Sequence, residues 1–229
     1  MIRVDANDSE ARSLRTDIID IWLAKSNHTK LTKKQTELLL FFQERLLSVN
    51  EYMNLTAITK PEDIAVKHFI DSFTLLPWLN DDACIIDIGT GAGFPGLPLK
   101  IMKPRIRLTL LDSLLKRIHF LRETVKALGL TEVDCLHGRA EEMARKDEYY
   151  KRYDVCTVRA VARMDVLAGY TLPFLKPGGL LLAMKGPDVR DEVNAARSAM
   201  QRHGGAVAEI KTVEIAEGMR RSVVLVRKR

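Results

Sequence analysis

Two hydrophobic rhythms divide the chain near residue 80. Upstream, apolar residues recur three and four positions apart, the period of a helix face. Within 9–25, Leu14, Ile18, Ile21 and Trp22 fall at that spacing. Leu38, Leu39, Phe42, Leu46 and Val49 mark a second apolar face, opened by Thr32-Lys-Lys-Gln35 in the form of a capping box. Pro61 opens a third helix with Ile64, Phe69, Phe73 and Leu76 on its buried side, and Pro77 ends it before Trp78. Downstream, short apolar runs alternate with helical stretches. Strands are predicted at 83–88, 107–112, 132–136, 153–158, 179–185, 206–215 and 221–228. Helices are predicted at 96–103, 114–129, 139–147, 163–175 and 189–203. Such alternation argues for a parallel sheet covered on both faces. The last two strands join through Ala216-Glu-Gly218 with no helix between them, which predicts an antiparallel hairpin.

The first strand runs into Asp87-Ile-Gly-Thr-Gly-Ala-Gly-Phe-Pro-Gly96, with glycines at 89, 91, 93 and 96. Glycine lets a backbone turn sharply and approach a ligand closely. Gly91-x-Gly93-x-x-Gly96 satisfies the dinucleotide fingerprint. Asp87-x-Gly89-x-Gly91-x-Gly93 satisfies the acidic-x-Gly-x-Gly-x-Gly pattern of S-adenosylmethionine (SAM) enzymes. A carboxylate at the strand end repels a pyrophosphate and suits the ammonium and sulfonium of SAM, so the second reading is preferred. The second strand ends at Asp112, nineteen positions after Gly93 and close to the ~20 expected of a ribose-binding carboxylate. Capping of the helix near Leu114 is the other role open to Asp112.

The expected fold is therefore α/β: a seven-stranded, doubly wound, Rossmann-like sheet of the class I SAM-methyltransferase type. It carries an antiparallel C-terminal hairpin and an N-terminal helical extension. The expected division is 1–80 for the extension and 81–229 for the methyltransferase domain.

Composition narrows the rest. The chain has 229 residues, 46% hydrophobic and 29% charged, as expected of a soluble globular protein. No apolar run approaches the ~18 residues that cross a membrane, and residues 1–8 lack a signal-peptide core, so a cytoplasmic protein is expected; no heptad or exposed apolar stripe suggests more than a monomer. A net charge of +6 suits an anionic partner without requiring one. Cys84, Cys135 and Cys156 form no C-x-x-C pair, and the histidines at 28, 68, 119, 137 and 203 show no metal spacing. No metal is expected; the thiols are read as reduced and buried, the histidines as structural.

Ligands of doubly wound sheets sit outside the carboxyl ends of the strands. Beyond Asp87–Gly91 and Asp112, those ends are His137-Gly-Arg139-Ala140-Glu141, Arg159-Ala-Val-Ala162 and Met184-Lys185-Gly186. Ala140 and Glu141 suit an adenine edge, although Glu141 also suits a helix N-terminus. Arg159 suits a SAM carboxylate or a phosphate, with a surface ion pair as the alternative. Lys185 is the weaker candidate, since Lys-Gly after a strand also makes a turn. No nucleophile elbow and no activated cysteine are visible. The Asn-Pro-Pro-Tyr-type motif of amino-group methyltransferases is replaced by Val158-Arg-Ala-Val, which disfavours an exocyclic amine acceptor. A ring nitrogen with a free lone pair needs no base, and catalysis is then alignment.

The run Asp87–Pro98 joins Tyr52-Met-Asn-Leu-Thr56, His68-Phe-Ile-Asp71-Ser72, Gly138-Arg-Ala-Glu141 and Val158-Arg-Ala-Val-Ala162. Together these resemble the RsmG (GidB) family of bacterial 16S ribosomal RNA guanine-N7 methyltransferases, over residues 30–229. The resemblance implies SAM as methyl donor and N7 of one guanine in 16S rRNA or the small subunit as acceptor, in the loop serving the decoding site. It implies cofactor contacts at Gly89, Phe94, Ala140, Glu141 and Arg159; Gly91 and Asp112 fit the general SAM pattern. The face around Arg159, Arg163 and Lys185 is expected to bind RNA. Residues 1–25 match nothing in that family, and no catalytic side chain is assigned. A small-molecule methyltransferase, a nicotinamide oxidoreductase and a SAM-binding protein without transferase activity are the competing readings.

Overall fold

A computed structural model describes residues 6–26 and 28–229, with side chains of the first helix described from Thr16 onward. Three helices precede the sheet. α1 is Ala6–Lys25 and α2 is Lys33–Met53. α3 is composite: a turn Pro61–Ile64, a π-helical stretch Ala65–Ile70 and a closing turn Asp71–Phe73. Thr32 and Gln35 form the expected capping box, with Thr32 Oγ1 accepting from Gln35 N at 3.3 Å and Gln35 Oε1 accepting from Thr32 N at 2.9 Å.

The buried face of α1 is turned from the expected one. Ile19, Trp22 and Leu23 are buried and Ile18 is partly so, whereas Ile21 is 57% exposed. At about 100° per residue, Ile21 lies about 200° round from Ile19, so the two cannot share one face. The expected role of the Leu14 side chain lies outside the described residues. α3 also stops earlier than expected. Its four predicted core residues are all buried, but Pro77 falls inside a separate 3₁₀ turn, Leu76–Trp78. Proline disfavours helical geometry at the residue before it, so the chain tightens there before Pro77 is reached.

The sheet strands are β1 Cys84–Ile88, β2 Arg107–Asp112, β3 Val133–His137, β4 Tyr153–Arg159, β5 Leu175–Lys185, β6 Gly205–Ala216 and β7 Met219–Lys228. Their order is β3-β2-β1-β4-β5-β7-β6; the first five run parallel and β7 is antiparallel to both β5 and β6. Order reverses between β1 and β4, which makes their carboxyl ends the switch point where a ligand crevice opens. Between the strands lie α4 Gly96–Met102, α5 Leu115–Ala127, α6 Ala140–Met143, α7 Met164–Thr171 and α8 Arg190–Arg202.

Two helices are shorter than the sequence pattern predicts. The 139–147 helix is the single turn α6, because Arg145, Lys146, Asp147 and Glu148 are exposed and give it no apolar stripe to bury. The 163–175 helix ends at Thr171 and passes through a 3₁₀ turn at Pro173 into β5, which starts at Leu175 rather than 179.

Successive strand residues feed opposite cores. Ile85, Leu108, Leu110, Val155 and Leu182 pack with α1 to α5; Ile86, Ile88, Leu111, Cys156 and Leu181 pack with α6 to α8. The helical extension shares the first core with the sheet, and Trp22 Nε1 donates to Glu214 O at 3.0 Å to tie α1 to β6. α3 is thereby held over the carboxyl end of β4 and the amino end of the antiparallel β7, where Arg159 and Arg221 reach it.

Candidate active site

The glycine loop is organised from below by Asp87, which is fully buried. Its carboxylate accepts from Thr90 Oγ1 at 2.6 Å, Thr157 Oγ1 at 2.8 Å and Gly96 N at 3.0 Å. Asp87 therefore fastens β1, β4 and the start of α4 together, and does not face a ligand. The expectation that it attracts the positive groups of SAM is corrected. Burial pushes its pKa up to about 6, against those hydrogen bonds. Gly96 has no room for a side chain: a Cβ there meets Leu110 Cδ2 at 2.5 Å and Asp87 Oδ2 at 3.0 Å.

Above the loop lies a cavity of 170 Å³ lined by Gly89, Asp112, Ser113, Ala140, Glu141, Val161 and Tyr170, among others. Gly89 has φ +65°, and a Cβ on it reaches within 2.5 Å of Val161 Cγ2. The position thus needs glycine twice, for conformation and for space. Asp112 is buried, and its Oδ1 accepts from Leu114 N at 2.9 Å. Its Oδ2 accepts from Gly91 N at 2.9 Å and from Arg117 Nη1 at 3.2 Å. The carboxylate both caps the approach to α5 and anchors the glycine loop, and Oδ1, with one bond, keeps a lone pair for the cavity. A left-handed glycine, a strand-end acid and the α6 N-terminus on one cavity fit an adenosine.

A second cavity, of 410 Å³, adjoins the first across Arg159-Ala160-Val161. Its lining includes Lys67, His68 and Asp71 from α3, Arg159 at the end of β4 with Ala160 after it, Lys185 at the end of β5 and Arg221 on β7. Arg159 Nη1 donates to Lys67 O at 3.0 Å and to Asp71 Oδ2 at 3.2 Å. Its guanidinium also stands 5.3 Å from the Phe94 ring centre. The Arg159–Asp71 pair joins a half-buried arginine to a buried carboxylate, so it is not the surface ion pair weighed as an alternative. His68 stacks on Phe94 with centroids 4.3 Å apart. His68 Nδ1 lies 3.2 Å from Arg159 Nη2 and 3.1 Å from Lys67 O, and Nε2 lies 3.0 Å from Thr56 Oγ1, so both ring nitrogens have partners. Burial, then Arg159, lowers the pKa of His68 to about 3, so the ring is neutral. Burial pushes Asp71 up, against the attraction of Arg159 and Arg221.

A larger hollow of 1010 Å³ lies at the amino ends of the strands, beside Cys84, Arg107, Val133 and Tyr153. The glycine loop and the topological switch both lie at the other end, which places the chemistry there. Burial raises the pKa of all three cysteines, Cys135 to about 11, so none is a thiolate near neutral pH. Among the described residues, no group of three His, Cys, Asp or Glu could hold a metal.

A family model described as rRNA small subunit methyltransferase G matches residues 35–224. The chain belongs to the GidB family. Relatives named "Ribosomal RNA small subunit methyltransferase G" include that of Clostridium kluyveri, 50% identical over 179 residues, which are 77% of this chain and 75% of that protein. That of Desulforamulus reducens is 43% identical over 210 residues, 90% of this chain and 87% of the other. The fold is shared with a SAM-dependent methyltransferase from Aquifex aeolicus, at TM-score 0.55 and 20% identity over 76% of this chain and 96% of that one. TrmN from Thermus thermophilus superposes at TM-score 0.53 and 21% identity, over 69% of this chain and 48% of that one.

In this GidB chain the predicted site residues fall into distinct settings. Gly89, Asp112, Ala140 and Glu141 line the smaller cavity, and Gly91 is bonded to Asp112 behind it. The Phe94 ring is buried against Phe42, Phe69 and His68. Arg159 and Lys185 line the 410 Å³ cavity. The Lys185 side chain is 14% exposed, and its Nζ donates to Ala162 O at 2.6 Å and Glu192 Oε1 at 2.8 Å. Arg163, at the N-cap of α7, is 69% exposed and pairs loosely with Asp165 at 3.5 Å. Sequence reasoning gives no role to His68, Asp71 or Arg221, although it singles out the run His68–Ser72. A charged residue amid an apolar helix face is the signal that could have found Asp71.

Proposed function

We propose that this chain transfers a methyl group from SAM to N7 of one guanine in 16S rRNA of the small ribosomal subunit. The observation that carries this reading is the pairing of two adjoining cavities. One is built on a glycine loop and a strand-end acid; the other is lined by Lys67, Arg159, Lys185 and Arg221, a setting suited to RNA phosphates. Family membership supports the substrate class.

Gly89, Gly91, Asp112, Ala140 and Glu141 are proposed to hold the adenosine. Arg159, steadied by Phe94 and Asp71, is proposed to hold the methionine end. When bound, SAM supplies an electrophilic methyl group on a sulfonium. The N7 lone pair of guanine forms the new C–N bond, the C–S pair returns to sulfur, and no proton has to leave. The neutral, hydrogen-bonded His68 accords with a reaction that needs no base. The chain's part is to orient two ligands in line and exclude water between them.

Arg163 and Lys185 are proposed RNA contacts, Arg163 the more available. Residues 1–80 are proposed as a helical extension to the methyltransferase domain 81–229, supplying one wall of the acceptor cavity. A monomer acting in the cytoplasm is proposed; no helix among the described residues is long and apolar enough to cross a membrane. Calorimetry tests the cofactor: SAM binds and NAD does not, whereas NAD binding would revive the oxidoreductase reading. Arg163→Glu is expected to weaken methylation of small-subunit RNA while SAM affinity holds. Unchanged methylation would remove Arg163 from the RNA face.

A further inference from the structure

The acceptor cavity has a single carboxylate among its lining residues, and that carboxylate is incompletely bonded. Asp71 is 3% exposed. Its Oδ2 accepts from Arg159, but its Oδ1 has no hydrogen-bond partner. Oδ1 faces Arg221 Nε at 3.6 Å, too far for a hydrogen bond. Arg221 is itself lightly held: its side chain is 32% exposed and its one hydrogen bond is 3.4 Å, to the neighbouring Arg220 carbonyl. A buried, unpaired acceptor costs stability and so calls for a ligand donor. The other charged groups around the cavity, Lys67, Arg159, Lys185 and Arg221, are all donors.

Guanine has the complementary pattern. Its N1–H and N2–H₂ lie side by side and point the same way, and N7 and O6 on the other edge accept. Among the four RNA bases it alone sets a ring N–H beside an exocyclic amine in this manner. We propose that Asp71 reads the target guanine, its carboxylate accepting the N1–H and N2–H of the flipped base while N7 faces the Arg159–Val161 turn. This rests on the reading of the site as a guanine-N7 methyltransferase centre and adds the residue that selects the base. As Arg221 is drawn to the RNA backbone, Oδ1 is uncovered for the base. Positive charge develops on the purine as N7 takes the methyl group, which sharpens the acidity of N1–H. The hydrogen bonds to Asp71 are therefore stronger in the transition state than in the ground state.

The test compares guanine with inosine, which lacks only the N2 amine, at the target position of small subunits reconstituted from ligated 16S RNA. With the unaltered enzyme, kcat/KM for guanine exceeds that for inosine about 10- to 100-fold, the effect of one charge-assisted hydrogen bond. Asp71→Asn, which keeps the shape, lowers the guanine value by a similar factor and the inosine value by less, so that the preference for guanine over inosine narrows. Equal rates on guanine and inosine with the unaltered enzyme overturn the proposal, and this arm does not depend on the variant folding. An Asp71→Asn enzyme that methylates both substrates and keeps the full preference for guanine over inosine also overturns it, since another group would then read the N2 amine. Methylation of neither base, with SAM still bound, contradicts the RNA reading itself and carries the proposal away with it.

Discussion

His68 is the residue whose setting departs furthest from what its type suggests. A surface histidine titrates near 6.5, yet burial and Arg159 hold this one to about 3. A depressed histidine favours the fold above pH 6.5, and that stability is lost as pH falls, because the unfolded chain takes the proton first. The expected slope is at most about 1.4 kcal/mol per pH unit between pH 6.5 and 3. Asp87 acts oppositely: raised to about 6, it favours the fold below its unfolded value of 3.8, and that contribution is lost as pH rises through 6. The readout is therefore the difference between the unaltered protein and His68→Gln in denaturant titrations at several pH values. The variant is expected to lose less stability on acidification; identical slopes would mean that His68 is charged in the fold. Gly89→Ala is a second expectation at this scale. A left-handed φ strained by about 1–2 kcal/mol, plus the contact with Val161, should weaken SAM binding by at least about tenfold. Calorimetry showing unchanged affinity would place the adenosine elsewhere. Gly89 was legible in the chain because a glycine run after a strand has few uses. The roles of Asp87 and Asp71 were not, because the sequence marks an acid but not which partners fold against it.

At the scale of elements, apolar period located every strand and the Thr32–Gln35 motif located the cap of α2, while the pattern erred where tertiary contacts decide. The face of α1 depends on where Trp22 meets β6, a contact 192 positions away in sequence. The length of α6 depends on the lack of anything for residues 145–148 to pack against. The clustering of aromatic rings under the site was likewise invisible. Phe42 on α2 stacks at 5.1 Å on Phe94 of the glycine loop and lies against Phe69 of α3. Phe42 is fully buried, so Phe42→Ala should cost about 3–5 kcal/mol in denaturant unfolding. Because the ring supports both the loop and the α3 wall, SAM affinity should fall as well. A stability loss under about 1 kcal/mol would show that the helical layer is not packed as described.

For the whole molecule, two properties meet: a doubly wound sheet with one switch point, and an excess of six positive charges. The first sets where a small ligand binds, the second what kind of large one approaches. Exchange of condensed counterions for Lys and Arg makes RNA binding fall steeply with salt. Methylation efficiency on small subunits should therefore drop as salt rises, while SAM affinity, which involves few phosphate-like contacts, changes little. Equal salt dependence of the two would count against a basic RNA face.

The central claim is donor, acceptor atom and substrate class taken together. The most direct measurement supplies methyl-labelled SAM and this protein to small subunits from a bacterial strain lacking its own copy of the enzyme. The RNA is then digested to nucleosides. Label in 7-methylguanosine is the predicted result. Label in another nucleoside, or none while calorimetry shows SAM bound, would contradict the claim and leave the fold with a different acceptor.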